Sequence, residues 1–409
     1  MVDLRGGAVH CIYLAAGAVR TRSEGPVAPG CSTALPQTEP GALSGWTVAA
    51  LVSGMGHPVT VSHQLTAGVE QEHIVKGVRI NASRGLDGLD LIDLPDPGAP
   101  GPGAIRVRIH ASSLNYHDYG VARSGDPKFQ GRIPLSDGAG VVEAVGEGVT
   151  EFEVGASVVS CFFPLWLDGP ATTGDFSNVP GDGVDGYARE VVVRPETWFT
   201  RAPRGFSHAQ AATLTTAGLT AWRALVADAG LKAGDSVLVL GTGGVSVFAL
   251  QIAKAMGATV IATSSSDEKL VRVRALGADH TINYKTEANW GEVVRQQTEG
   301  RGVDHVVEVG GPGTLPQSIT AVRNGGHIAL IGVLTGRGGE VPTAAMMVKQ
   351  VRLQGLIVGS RRHQQDFVRA IETTGLKPEI DRSFDLDRLS EAFRYEESGA
   401  HFGKICIEF

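Results

Sequence analysis

The stretch Ser236-Val237-Leu238-Val239-Leu240-Gly241-Thr242-Gly243-Gly244-Val245-Ser246 decides the fold of this chain. Its first five residues are a short, largely apolar run with two valines, the pattern of a strand buried on both faces in a parallel sheet. Glycine then breaks the backbone. Val245, Phe248, Ala249, Ile252 and Met256 follow at helical spacing. Strand, glycine turn and helix together open a dinucleotide-binding unit. Gly241 allows the tight turn, and Gly243 removes a side chain where the backbone must approach a pyrophosphate. The helix start, with Gly244 and Val245, offers unpaired N–H groups and the positive end of its dipole to that anion. The third glycine of the usual pattern is replaced by Ser246. In a chain with 55 glycines such a pattern is weak by itself. A second strand, Thr259–Thr263, at the expected distance strengthens it.

The chain has 409 residues, room for two domains with ample core. Its net charge is −7 and it has no long basic run, so nucleic acid is not the expected partner. Four cysteines (Cys11, Cys31, Cys161, Cys406) are scattered, none at C-x-x-C spacing. That argues against a structural zinc lobe or a disulfide framework, and it fits a reducing cytoplasm. No apolar run is long enough to span a bilayer.

Residues 1–75 are rich in Gly, Pro, Ser and Thr without sustained periodicity, and read as a disordered extension. Within them, the apolar run 8–19 faintly resembles a secretory signal, but Asp3 and the missing positive cluster count against one. From Val75 short strands appear: 75–80, 104–110, 141–145 and 157–160, separated by Gly/Pro turns, which describe a compact β domain. Residues 164–186 read as a long surface loop, a candidate substrate lid. Ala209–Asp228 reads as helical, with Gly218 inside it. From Asp235 strands (236–240, 259–263, 280–283, 303–309, 327–331) alternate with helical runs, a doubly wound α/β pattern. Two helical stretches after about residue 360 lead to a last strand, Lys404–Phe409.

Several motifs in this order carry a resemblance. They are Asn115-Tyr116-His117-Asp118, Asp137-Gly138-Ala139-Gly140-Val141-Val142 and Val145-Gly146-Glu147-Gly148-Val149. Ala217-Gly218-Leu219-Thr220-Ala221-Trp222 and the glycine turn follow. Leu276-Gly277-Ala278-Asp279, Ile282-Asn283-Tyr284 and His401-Phe402-Gly403-Lys404 complete the set. Over residues 75–409 the chain resembles the medium-chain dehydrogenase/reductase superfamily, and within it the zinc-free quinone-oxidoreductase and alcohol-dehydrogenase-like branch. The resemblance implies a Rossmann doubly wound parallel sheet (206–359) inserted in a GroES-like, β-rich catalytic domain (76–205 and 360–409). It implies an active site in the cleft between them, and a homodimer.

Zinc-dependent members hold a catalytic metal with Cys, His and a second Cys, with a Glu nearby. Here Asn115 stands at the first Cys, Ser136 at the His, Asp137 at the Glu, and Thr213-Leu214-Thr215 replaces the second Cys. Asn and Ser are not usual zinc ligands, so no metal is expected. His117, Asp118 and Asp137 could form a different site in principle. Asp118 and Asp137 read better as structural hydrogen-bond acceptors, and His117 as a pocket wall or a satisfied polar residue.

An NAD site usually has an acidic residue at the end of the second strand. Ser264 occupies that position here, and Ser264, Ser265 and Ser266 can donate to a 2′-phosphate. Related quinone reductases use a Lys and a Tyr matching Lys269 and Tyr284 for this phosphate. NADPH is therefore expected over NADH. Asp267 reads as an N-cap.

The implied reaction is hydride transfer. Asn115 is the candidate for positioning substrate or nicotinamide, and Tyr116 and Tyr119 are candidate donors or relays. His117 lies in the same stretch. The backbone of Gly310, Ile331 and Val333, at two strand ends, is expected to line the nicotinamide site. The reading is a zinc-independent NADPH-dependent reductase of a quinone or activated C=C bond acting on a small molecule. The alternatives are an NAD(P)-dependent alcohol dehydrogenase or ketone reductase, and a nucleotide-binding protein with little turnover.

Overall fold

The computed structural model describes His10–Ala15, Ala18–Arg22, Val48–Leu51 and residues 74–409 apart from 172–173. The chain divides into two units, Met1–Gln71 and Glu72–Phe409. In the first, β1 (His10–Ala15), β2 (Ala18–Arg22) and β3 (Val48–Leu51) form an antiparallel sheet of order β2-β1-β3. Regular structure was not expected there. The remainder of that expected extension lies outside the described residues.

The second unit begins with an antiparallel pair, β4 (Ile74–Ile80) and β5 (Leu89–Pro95). Then come β6 (Ala104–Ser113), β7 (Ala139–Val145), β8 (Ser157–Ser160), β9 (Val191–Pro195) and β10 (Phe199–Arg201). Ile105, Val107 and Ile109 alternate into a core with Val142, Val158 and Val192, as period-two patterning requires.

The helical run before the glycine turn is broken. α-Helical His208–Ala212 and Leu219–Trp222 alternate with π-helical Leu214–Gly218 and Arg223–Ala227. A Cβ at Gly218 would lie 2.8 Å from Phe367 Cε1, so only glycine fits this helix crossing.

The parallel sheet follows: β11 (Ser236–Leu240), β12 (Thr259–Ser264), β13 (His280–Asn283), β14 (Val303–Glu308), β15 (Val322–Leu330) and β16 (Arg352–Gly355). Its order is β13-β12-β11-β14-β15-β16. All five pairings are parallel. Every residue of β11 is buried. Val237 and Val239 enter one core layer, with Val247, Phe248 and Leu250 of the following helix, while Leu238 and Leu240 enter the other, with Ile261 and Val306. The order reverses between β11 and β14, which is where such sheets bind nucleotides.

The chain then returns. β17 (Ile380–Asp385) pairs with β18 (Lys404–Glu408), and β18 lies against β6. The mixed sheet reads β10-β8-β7-β6-β18-β17, with β9 also on β6. A catalytic-type β sheet from both chain ends thus brackets a doubly wound sheet. No helix among the described residues is long and apolar enough to cross a membrane.

Candidate functional site at the glycine turn and a buried acid cluster

Gly241 has φ 75°, a left-handed conformation that favours glycine. A Cβ added at Gly243 would meet nothing within 4 Å. Gly243 also precedes the helix Gly244–Ala255 and offers no side-chain cap. The first-turn N–H groups are thereby left for an anion. Gly241, Gly243, Gly244 and Val245 are half-buried, whereas Ser246 is buried and donates its hydroxyl to Leu240 O at 2.6 Å. The departure from the third glycine is thus accommodated by a hydrogen bond between helix and strand. These residues fit a dinucleotide.

β12 runs one residue past the expected Thr263 to Ser264, whose hydroxyl accepts from Ser266 N at 3.2 Å. The N-cap of the next helix is Ser266, not Asp267. Ser266 Oγ accepts from Lys269 N, and Asp267 opens the first turn, where it accepts from Asn283 Nδ2 at 2.7 Å. Lys269 differs from expectation. Its ammonium donates to Gly399 O at 2.6 Å and His401 O at 2.8 Å, tying down the loop before β18. Tyr284 is exposed beyond β13.

At the far side of the switch point, the buried Glu308 accepts from Gly310 N at 2.7 Å, Gly311 N at 3.0 Å and Thr314 Oγ1 at 2.6 Å. Gly310 O in turn accepts from Thr335. The Gly310 peptide is therefore held on both sides, and Glu308 shapes a loop for which the sequence offered only glycines. Ile331 N donates to Glu308 O at 2.8 Å, and Val333 is exposed.

The second half of the site is a buried polar cluster. Asn115 Nδ2 donates to Asp118 Oδ2 at 3.0 Å and Asp137 Oδ2 at 2.9 Å. Its Oδ1 accepts from Lys404 Nζ at 2.6 Å. Asp137 also accepts from Ser113 Oγ and, at 2.6 Å, from Thr216 Oγ1. Asp118 accepts from Ser136 N at 2.9 Å and Ser136 Oγ at 3.2 Å. Both aspartates are structural acceptors, as expected. Burial pushes the Asp137 carboxyl up to about 6, with Lys404 opposing and Asp118 adding to the shift. Burial raises Asp118 as well.

The three catalytic candidates fare differently. The Asn115 amide is engaged on both its nitrogen and its oxygen inside this cluster. Tyr116 is 56 % exposed. Tyr119 is buried and donates its hydroxyl to Glu397. Lys404 closes the last of the sequence motifs, which gave it no role in the site. Its stem runs along the glycine turn, 2.5 Å from where a Gly244 Cβ would lie, and its ammonium reaches Asn115. The cluster therefore abuts the nucleotide turn.

The donors at the zinc positions do not fit zinc. Asn115 and Ser136 bond within the cluster, and Thr215 donates to Ser160 O at 3.0 Å. None supplies thiolate or imidazole. Among the described residues no group of three His, Cys, Asp or Glu side chains is arranged for a metal ion.

His117 lines the mouth of this cluster. Its ring lies 4.9 Å from Phe176 and 5.6 Å from Phe162, centroid to centroid. Within the loop 164–186, Trp166 and Val179 are buried with Phe162, Phe163, Leu219 and Val358, which pins the chain at those two points.

A nucleotide-type glycine turn beside a buried polar cluster fits the oxidoreductase class that the relatives share. Residues 101–204 match the family described as alcohol dehydrogenase GroES-like domain, and residues 244–374 the one described as zinc-binding dehydrogenase. A zinc-type alcohol dehydrogenase-like protein of Schizosaccharomyces pombe is 40% identical, covering 79% of this chain and 96% of that protein. A solved Sinorhizobium meliloti structure, provisionally described as an alcohol dehydrogenase, is 45% identical with TM-score 0.77, covering 82% of this chain and 99% of that one. A structure described as an NAD-dependent alcohol dehydrogenase is 36% identical with TM-score 0.74, covering 82% and 99%. A 2-haloacrylate reductase of Burkholderia sp. is 35% identical, covering 58% and 68%. The chain belongs to the medium-chain dehydrogenase/reductase superfamily.

Proposed function

We propose that this chain is a zinc-independent, NADPH-dependent reductase of a quinone or an activated C=C bond. The Asn115 amide carries this reading. At the position of a metal thiolate it is clamped between Lys404 and two carboxylates. A saturated carbonyl needs strong polarisation, whereas a conjugated acceptor takes hydride readily. The similarity to a 2-haloacrylate reductase, which acts by its name on an activated C=C bond, supports the same direction. A bound nicotinamide supplies the hydride. The protein binds its pyrophosphate at Gly241–Val245, orients the two halves through Lys404 and holds the loop 310–314 through Glu308.

Preference for NADPH is supported by Ser264 at the acidic position and by Ser265 and Ser266 beside it. With the Lys269 ammonium engaged by carbonyls, the serines and Tyr284 carry that preference. The alternative is an NAD(P)-dependent alcohol dehydrogenase or ketone reductase, favoured by the names of the relatives described above. The exposed edge of β16 and the exposed Met347 and Val348 support a homodimer. The buried free thiols of Cys161 and Cys406 support a cytoplasmic location.

The test is oxidation of NADPH and NADH with a quinone, a conjugated enone and a saturated ketone, before and after EDTA. Turnover of quinone or enone, unchanged by EDTA, is expected. Turnover of the ketone alone, lost on chelation, would overturn the proposal.

A further inference from the structure

We propose that His117, paired with Asp182, is the proton donor of this reduction, protonating the anion that hydride transfer leaves on the acceptor. This rests on the reductase reading and names a residue for its second half.

The polar side chains around the cluster are already used. Asn115 is held by Lys404 and two aspartates, Thr216 by Asp137, and Tyr119 by Glu397. His117 Nε2 is different. It is buried and has no hydrogen-bond partner. The nearest carboxylate oxygen, Asp182 Oδ2, lies 3.3 Å away, too oblique to accept a hydrogen bond in this arrangement. An N–H is thus left beside a carboxylate, between the rings of Phe162 and Phe176.

Electrostatics favour the protonated ring. The charged groups facing His117 are Asp182 from the loop, Asp118 on its own helix and Asp137 from the segment before β7. Lys404, arriving on β18, gives the two buried aspartates only one compensating charge. Burial opposes a charged imidazole, but the Asp182 contact and the neighbouring carboxylates outweigh it and hold the ring above its ordinary value. A ring held protonated above the ordinary imidazole value suits a general acid.

The step balances. The acceptor gains a hydride with its electron pair from the reduced nicotinamide, which is oxidised. The electrons of the conjugated system then rest on oxygen as an enolate or phenolate. The Nε2–H bond breaks, an O–H bond forms at that oxygen, and neutral imidazole takes a proton back from water.

The experiment compares wild type, His117→Gln and Asp182→Asn with NADPH and 3-buten-2-one. The readouts are kcat against pH, the solvent deuterium isotope effect, NADPH affinity by fluorescence, and the ring titration of His117 by NMR in the free enzyme. His117→Gln should lower kcat by roughly 10²-fold or more and abolish the high-pH limb, with NADPH affinity changed less than about twofold. Asp182→Asn should keep turnover but move both the limb and the ring titration about one pH unit lower. Full kcat with an unchanged limb in His117→Gln, at intact NADPH affinity, would overturn the proposal. So would an unmoved limb and ring titration in Asp182→Asn. If only a saturated ketone is reduced, the reductase reading falls, and the same variants decide the role of His117 on the alkoxide.

Discussion

Glu396 shows what burial does to a single residue. Its Oε2 is buried without a partner, and burial pushes its carboxyl up to about 8 from 4.5, with Lys404 opposing. The folded state therefore keeps a proton that the unfolded chain releases. The resulting stability is present below pH 4.5 and is lost as pH rises to about 8. Glu396→Gln should melt higher than wild type at the alkaline end, by about 2–4 kcal/mol, with the gap closing in acid. Calorimetry across that pH range checks this. Lys404 is the second such residue. Its methionine variant leaves Leu114 O and Asn115 Oδ1 without their donor and two aspartates without their cation. Lys404→Met should lose about 3–5 kcal/mol in urea denaturation. Adding Asp137→Asn should recover part of that loss, because the uncompensated charge goes with it.

The glycine turn makes a sharp pair of predictions at the level of the element. Gly243→Ala meets no protein atom within 4 Å. Its melting temperature should hold, while NADPH affinity falls about tenfold or more, ~1.4 kcal/mol, because the methyl occupies the anion's approach. Gly244→Ala drives a Cβ to 2.5 Å from Lys404 Cδ. It should lower both melting temperature and affinity, as read by thermal melts and fluorescence titration. How well each element could be read follows from its surroundings. β11 was legible to the residue, because a strand buried on both faces is an uninterrupted apolar run. β17 (Ile380–Asp385) was not, since it pairs on one side only and buries just Phe384. β5 is similar, with one fully buried position and a single partner.

For the whole molecule, the open question is what covers the edge of the parallel sheet. β16 pairs with β15 alone, and Met347 and Val348 are 73% and 72% exposed beside it. An exposed strand edge next to apolar side chains invites pairing with another chain. Wild type should sediment as a dimer, and a Met347→Asp, Val348→Asp double variant as a monomer that keeps its fold by circular dichroism. A monomeric wild type at micromolar concentration would remove the dimer reading.

The sequence by itself determined the doubly wound sheet, the glycine turn, the bracketing β domain and the oxidoreductase class. The sheet and the turn rest on local periodicity and on glycine's conformational freedom; the bracketing β domain and the oxidoreductase class rest on the family resemblance that the contiguous motifs carry. Only the tertiary structure decided what the polar residues do. Asn115 meets Lys404 across 289 positions, Thr216 meets Asp137 across 79, and His117 meets Asp182 across 65. A side chain's hydrogen-bond partner is fixed by burial, since a polar group shut away from water must find another polar group wherever the fold brings one. That requirement sets the Asn115 amide between Lys404 and two aspartates, and the Lys269 ammonium on the carbonyls of Gly399 and His401. His117 Nε2 departs from that requirement, lying 3.3 Å from Asp182 without a hydrogen bond.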